Sequence, residues 1–87
     1  MALRFVGIDP DTGGGGSPTV WVDDEKQEIV IQGWDVEAAR LAEIRETEWV
    51  PEHATGVPAG ESPVRLPFRM VPILRKACDD AERPAGS

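Results

Sequence analysis

The stretch TVWVDDEKQEIVIQGW, residues 19–34, has the pattern of a β-hairpin. Two runs, Thr19–Val22 and Glu28–Trp34, are rich in the β-branched and aromatic residues that favour strands. The polar segment 23–27 between them has a suitable length for a hairpin loop. The stretch therefore predicts two neighbouring strands of an antiparallel sheet.

Alternation along these strands predicts which side chains share a face of the sheet. One face would carry four aliphatic residues, namely Val20, Val22, Ile29 and Ile31. Trp21 and Val30 would lie on the opposite face. A strand at Leu3–Ile8 precedes the hairpin, and a short strand at Val64–Leu66 would turn Val64 and Leu66 inward.

A first helix is predicted directly after the hairpin. Asp35 is well suited as the N-cap of VEAARLAEIRETEW, a segment of good helix formers at residues 36–49. Its apolar stripe is narrow, which predicts a helix on the surface. Residues 51–63, with three prolines and no periodicity, are predicted as a loop.

The last helix is predicted at Phe68–Glu82, with Pro72 at the first position of its main body or at a kink after a first turn. Five residues follow a helical repeat that should pack on the sheet: Met70, Leu74, Ala77, Cys78 and Ala81. Cys78 is therefore interpreted as a buried structural thiol. The solvated side would carry Arg69, Arg75 and Lys76, with ion pairs from Arg75 to Asp79 and from Lys76 to Asp80.

These elements predict an α+β fold, in which an antiparallel sheet of three or four strands carries the C-terminal helix on one face and the other helix lies on the surface. We expect one small domain at residues 1–82 and a flexible tail at 83–87. A single cysteine cannot form an internal disulfide, which favours a reducing cytoplasm. Neither a signal peptide nor a membrane span is expected.

The net charge of −7 disfavours direct binding to nucleic acid or to an anionic membrane. The acids concentrate in the first 52 residues, and the last third of the chain is slightly basic. The only histidine lies in a proline-rich loop, and we identify no catalytic constellation and no cofactor motif. The chain is therefore interpreted as a binding protein and not as an enzyme.

The stretch FVGIDPDTGGGG, residues 5–16, supports a second hypothesis. A strand that ends in an aspartate resembles the first strand of ribonuclease-H-like nucleases, and the resemblance covers residues 5–34. It implies a magnesium-binding role for Asp9, with Asp11 nearby. Two-metal cleavage needs several convergent carboxylates, and the rest of the chain has no room for the elements that supply them in that fold. We therefore favour an aspartate-proline turn, and a magnesium-dependent nuclease remains the alternative.

Five residues are candidates for contact with a partner. Three tryptophans are many for so small a core, and large aromatic side chains are enriched at interface hot spots. Trp34 and Trp49 are the two that we expect at a protein interface. Three cations of the last helix, Arg69, Arg75 and Lys76, complete the candidate set.

The order of features is similar to that of small actinobacterial proteins encoded beside helix-turn-helix regulators, the BldB/AbaA-like group. The matching segments are GGGGSPTVWV at 13–22, EIVIQGW at 28–34 and VRLPFRMVPILRKA at 64–77. Relative to that group, the helix predicted at 35–48 is an insertion. The resemblance implies a cytoplasmic regulatory accessory protein without enzymatic activity. Such a protein acts through protein contacts, as a homodimer or with a DNA-binding regulator as its partner.

Overall fold

The computed structural model describes residues 3–11 and 17–83. The elements, in chain order, are β1 (Leu3–Ile8), β2 (Thr19–Asp23), β3 (Glu28–Gln32), β4 (Trp34–Asp35), α1 (Ala38–Glu46), β5 (Val64–Arg65) and α2 (Val71–Glu82). A 3-10 turn at Phe68–Met70 leads directly into α2, and Pro72 is the second residue of α2, one position later than predicted. The predicted α+β fold is confirmed.

The chain divides into two compact units. The sheet unit comprises Met1–Gly33 and Leu66–Ser87, and the inserted unit comprises Trp34–Arg65. The expectation of one domain at 1–82 stays a prediction. Residues 84–87 of the expected tail and the glycine run 13–16 lie outside the described residues.

The sheet unit contains a three-stranded antiparallel sheet in the order β1-β2-β3. Its hairpin has the predicted register, since Val20 pairs with Ile31, Trp21 with Val30 and Val22 with Ile29. The loop is closed by the Asp23 carboxylate, whose Oδ1 accepts a hydrogen bond from the Lys26 backbone N–H at 3.0 Å. The predicted alternation of faces therefore holds along the hairpin.

Helix α2 packs on one face of this sheet and closes the core. The buried core residues are Val20, Val22, Met70 and Ala77, and Val6, Leu66, Ile73 and Leu74 pack around them. Helix α2 comes close to β1 at Gly7, which follows an irregularity in the β1–β2 register. A Cβ atom at this position would lie 2.9 Å from Ile73 Cγ2, so glycine is what allows the helix to approach the strand.

The predicted apolar face of α2 is wrong at two residues, because Cys78 and Ala81 are exposed. Successive helical residues are rotated by about 100°, so Cys78 lies well around the helix from the buried Ala77. Ala81 lies beside a groove that is also lined by Val22 and Ile29 and is not filled by other side chains. The residue that the pattern missed is Ile73, which completes the packed stripe with Met70, Leu74 and Ala77.

The inserted unit begins and ends with the short ladder of β4 and β5, in which Trp34 pairs with Arg65 and Asp35 with Val64. Asp35 is therefore not the N-cap of α1. That position belongs to Glu37, because the chain stays extended through the ladder before it turns into the helix. Val64 is exposed, contrary to prediction, since it pairs at this two-stranded ladder and not in the main sheet.

Candidate functional site

The face of the three-stranded sheet opposite α2 presents an apolar row. The register places Phe5 beside Trp21 and Trp21 beside Val30, so one side chain from each strand lies in this row. These residues alternate with the core-facing Val20 and Val22, which puts them on the other side of the sheet. Phe5 is 61% exposed, and Trp21 and Val30 are half-buried.

Strand β1 extends the row into a larger surface. Leu3 and Ile8, which pair with Asp23 and Thr19 of β2, are also exposed on this side. We call the surface formed by Leu3, Phe5, Ile8, Trp21 and Val30 the outer face. Contiguous exposed apolar side chains on a sheet are typical of interaction sites, whereas isolated ones are common everywhere.

The outer face is acidic at its hairpin end. Leu3, Asp23 and Glu28 lie in register there, and Asp24 and Glu25 follow in the hairpin loop. The Asp24 carboxylate receives hydrogen bonds from Arg4 at 2.6 and 3.1 Å, which lower the pKa of Asp24 below its usual value. Four acids, Asp23, Asp24, Glu25 and Glu28, lie at this end together with three bases, Arg4, Lys26 and Arg83.

An ion pair between a buried aspartate and an exposed arginine lies just beyond the other end of β1. Asp9 is 3% exposed, and its Oδ1 and Oδ2 accept hydrogen bonds from Arg69 Nε and Nη2 at 2.6 and 2.8 Å. The Asp9 N–H donates to the Pro18 carbonyl at 2.9 Å, and Asp9 Oδ1 also accepts from the Asp11 N–H at 3.0 Å. The hydrogen bonds to Asp9 raise the pKa of the Arg69 guanidinium.

This pair changes the interpretation of both residues. Arg69 is exposed, as predicted, but its Nε and Nη2 donate hydrogen bonds to the buried Asp9 carboxylate. A magnesium ion at Asp9, as in the nuclease alternative, would have to displace that guanidinium. Within residues 3–11 and 17–83, no group of three or more His, Cys, Asp or Glu side chains is arranged to hold a metal ion.

The other two cations of the candidate set lie on the exposed side of α2. Lys76 Nζ contacts Asp80 Oδ2 at 3.0 Å, which confirms the predicted i, i+4 pair and lowers the pKa of Asp80. Arg75 is exposed, and in the described structure no ion pair joins it to Asp79. Nothing in these contacts distinguishes the helix surface from an ordinary solvated face.

The two candidate tryptophans belong to the inserted unit and differ in their surroundings. Trp34 is half-buried, and the Arg65 guanidinium carbon lies 4.9 Å from its ring centroid. Trp49 is 61% exposed, and its Nε1–H donates to the Ile44 carbonyl at 3.1 Å. Of the five candidate residues, Trp34 and Trp49 thus belong to one unit and Arg69, Arg75 and Lys76 to the other.

The sequence-based candidates missed the outer face. The signal was present, because alternation placed Trp21 and Val30 opposite the core-facing residues and only one predicted helix had an apolar face to cover the sheet. Phe68 was also missed; it is 93% exposed and immediately precedes Arg69.

Comparisons with protein-family models, with curated proteins and with solved structures found no match for this chain. Across the described ranges, neither helix has the length and apolar character needed to cross a membrane.

Proposed function

We propose that this chain is a non-enzymatic accessory protein that binds another protein through its outer face. The observation that carries the proposal is the apolar row of Phe5, Trp21 and Val30 across all three strands. Rigid aromatic side chains offer a large contact area and lose little rotamer entropy on binding. The regulatory part of the proposal rests on the sequence resemblance to the BldB/AbaA-like group.

Charge indicates the class of partner. The sheet unit has nine acids against six bases, and the inserted unit has seven against three. An acidic rim beside an apolar face favours a partner whose own apolar patch is bordered by lysine or arginine, because opposite potentials speed encounter and fix orientation. DNA-binding regulators have such basic surfaces, and a helix-turn-helix regulator is the partner that we propose.

The experiment compares two aromatic residues of equal exposure. Phe5 and Trp49 are both 61% exposed, so Phe5→Ser and Trp49→Ser should leave the core intact while removing an exposed ring from different units. The partner is captured with the wild-type chain, and its affinity for each variant is measured by calorimetry. We expect Phe5→Ser to weaken binding by roughly 30-fold or more and Trp49→Ser to leave it nearly unchanged.

Two results would contradict the proposal. If Trp49→Ser alone weakens binding, the interface lies in the inserted unit. If neither variant changes the affinity, neither Phe5 nor Trp49 contributes to recognition of the partner. Circular dichroism of both variants verifies that they are folded, and the wild-type affinity should fall as salt concentration rises, since a basic partner is attracted electrostatically.

A further inference from the structure

A groove runs between the hairpin end of the sheet and the C-terminal end of α2. Its volume is about 570 Å³, which lies within the range of small-molecule sites in proteins. All of the residues that line it belong to the sheet unit. The groove is therefore a feature of that unit by itself.

The apolar part of the groove comes from both the sheet and the helix. Val22 and Ile29 pair with each other in the hairpin, and Ala81 lies in the last turn of α2. Ile29 is 40% exposed although it lies on the same side of the sheet as the core. The apolar body of a ligand in the groove would therefore remove hydrocarbon surface from water.

The charged part of the groove contains two carboxylates without a counter-ion. Asp23 and Glu28, which also line it, lie directly opposite each other at the end of the β2–β3 ladder, where like charges repel. In the part of the chain that the structure describes, neither forms an ion pair, and the Lys26 ammonium pairs with neither. The other charged lining residues, Asp24 and Arg83, each have an opposite charge within 4.0 Å.

The buried member of this pair has an oxygen atom available to a ligand. Asp23 is 7% exposed, and its Oδ1 accepts the hydrogen bond from the Lys26 N–H. Its Oδ2 accepts none within the described ranges, where no side-chain oxygen is both buried and unpartnered, so Oδ2 is open to solvent. Because burial and the bond to Oδ1 already hold this carboxylate in place, a cation that binds it loses little affinity to ordering it.

We propose that the groove binds a small organic cation, in which an ammonium group is attached to an apolar ring or chain. Asp23 and Glu28 accept hydrogen bonds from the ammonium group, which also relieves the repulsion between them. The apolar body contacts Val22, Ile29 and Ala81, since the groove continues from that part of the hairpin past the last pair of the ladder.

The charge distribution favours an ammonium ion over a metal ion. Within residues 3–11 and 17–83, no three His, Cys, Asp or Glu side chains are arranged to hold a metal. Two carboxylates beside hydrocarbon instead match a cation that has an apolar body of its own. The inference does not depend on the proposed function, because Val22 and Ala81 place the groove on the α2 side of the sheet and not on the outer face.

Amide NMR of the full chain at neutral pH tests the proposal with three probes. Naphthylmethylammonium has both a ring and a positive charge. Naphthylacetate has the same ring with a negative charge, and methylammonium has the charge without the ring. We expect only the first probe to cause saturable shifts at the amides of Val22, Ile29 and Ala81. Its Kd should be about 0.1–5 mM, the range usual for a ligand of about twelve heavy atoms.

Two glutamine variants separate a specific contact from the general attraction of a cation to an acidic chain. Glu28→Gln and Glu25→Gln remove the same charge from the same hairpin, but Glu25 does not line the groove. Glu28→Gln should weaken binding of naphthylmethylammonium by roughly 3- to 10-fold, and Glu25→Gln by less than about 2-fold. Glu28→Gln should also raise the urea midpoint more than Glu25→Gln does, because it removes the like charge opposite Asp23.

Ala81→Phe tests the place of binding, because the added ring occupies the groove. We expect this variant to weaken binding of naphthylmethylammonium by at least about 10-fold. Ala42→Phe adds the same ring at an exposed alanine of α1 and is the matched control, which should bind as the wild type does. Phe5→Ser, on the outer face, should also leave the affinity for the probe unchanged. Circular dichroism verifies that the variants are folded.

Four outcomes would overturn the inference. If naphthylacetate binds as tightly as the ammonium probe, the groove recognises the ring and not the charge. If Glu25→Gln and Glu28→Gln weaken binding equally, only the net charge attracts the probe. If Ala81→Phe keeps the wild-type affinity, the probe binds elsewhere. If no probe saturates up to about 20 mM while Ala81→Phe weakens capture of a protein partner, the groove holds a side chain of that partner and not a small cation.

Discussion

The interactions that stabilise the sheet unit differ from those that stabilise the inserted unit. The sheet unit contains every buried residue of the described chain, with Val20, Val22, Met70 and Ala77 as its core. The inserted unit has no buried residue within 34–65, and α1 buries none of its side chains. Burial of apolar surface is the dominant stabilising term in folding, so global stability should reside in the sheet unit.

The inserted unit depends instead on contacts of Arg65 at the ladder that closes it. The Arg65 guanidinium lies over the Trp34 ring, and its Nε donates to the Asp35 carbonyl at 2.9 Å. Oε2 of Glu37 lies 3.8 Å from Arg65 Nε. Exposed polar contacts of this kind contribute little individually, so we expect the unit to open locally more readily than the sheet unit unfolds.

The largest expected difference between the units is in the cost of removing an apolar side chain. Met70→Ala should lower the free energy of unfolding by roughly 2–5 kcal/mol, since Met70 is completely buried. Leu41→Ala, on the half-buried side of α1, should lower it by less than about 1 kcal/mol. Urea denaturation measures both. Equal costs would mean that α1 belongs to the cooperative core.

The next largest change in the free energy of unfolding is expected at Gly7, where the space for a side chain is filled by Ile73. A methyl group there would meet three atoms of Ile73 at 2.9–3.1 Å, so Gly7→Ala should cost roughly 1–3 kcal/mol through overpacking. The cost should shrink when Ile73→Ala is also present. At Gly60 of the inserted unit, a Cβ would meet nothing within 4 Å, but φ is +92°. The destabilisation caused by Gly60→Ala should therefore be the same with and without Ile73→Ala. If Ile73→Ala reduced it as much as it reduces the destabilisation caused by Gly7→Ala, the assigned contact between Gly7 and Ile73 would be contradicted.

A smaller effect is expected at the closure of the inserted unit. Trp34→Leu removes the cation–π contact with Arg65 and should lower the local stability of α1 by about 0.5–1 kcal/mol. Amide exchange of α1 residues measures this change, and the urea midpoint of the whole chain should move little. A large shift of the global midpoint would show that Trp34 supports the core.

Acid should weaken the inserted unit by the smallest amount. Hydrogen bonds from Arg40 lower the pKa of Glu37 to about 2. A depressed carboxyl pKa contributes stability above the unfolded-state pKa of about 4.3, and that contribution is lost as pH falls towards the folded-state value. Protection of α1 amides should decline between these two pH values in the wild type and change less in Glu37→Gln. An identical decline in both would rule out this ion pair as the cause.

The sheet unit was predicted better from the sequence than the inserted unit, because the sheet unit buries more apolar side chains. Period-two alternation in a half-buried hairpin specifies both register and face, and Val20, Trp21 and Val30 were assigned correctly. In the inserted unit few side chains are even half-buried, so burial imposes no clear pattern on the sequence. Helix propensity and the capping preference of aspartate alone placed the N-cap of α1 at Asp35. The ladder with β5 keeps Asp35 extended, and that pairing joins residues far apart in sequence.

The candidate site shows what local patterns cannot specify. Asp9 and Arg69 are 60 residues apart, so neither residue type nor spacing revealed their bidentate contact. The helical repeat indicated that α2 is amphipathic but not how it rotates on the sheet, and Cys78 was therefore placed on the wrong side. The outer face could be inferred once one side of the sheet was assigned to α2.

Native-state amide exchange of the full chain, followed by NMR at increasing sub-denaturing urea, tests the division between the units most directly. We predict that amides of the central strand β2 exchange only through global unfolding and are accelerated by Met70→Ala. The Leu41 N–H, which donates to the Glu37 carbonyl at 2.9 Å, should exchange through local opening at a lower free energy, with little dependence on urea or on Met70→Ala. A Leu41 amide that is as protected as those of β2, and equally accelerated by Met70→Ala, would contradict the account.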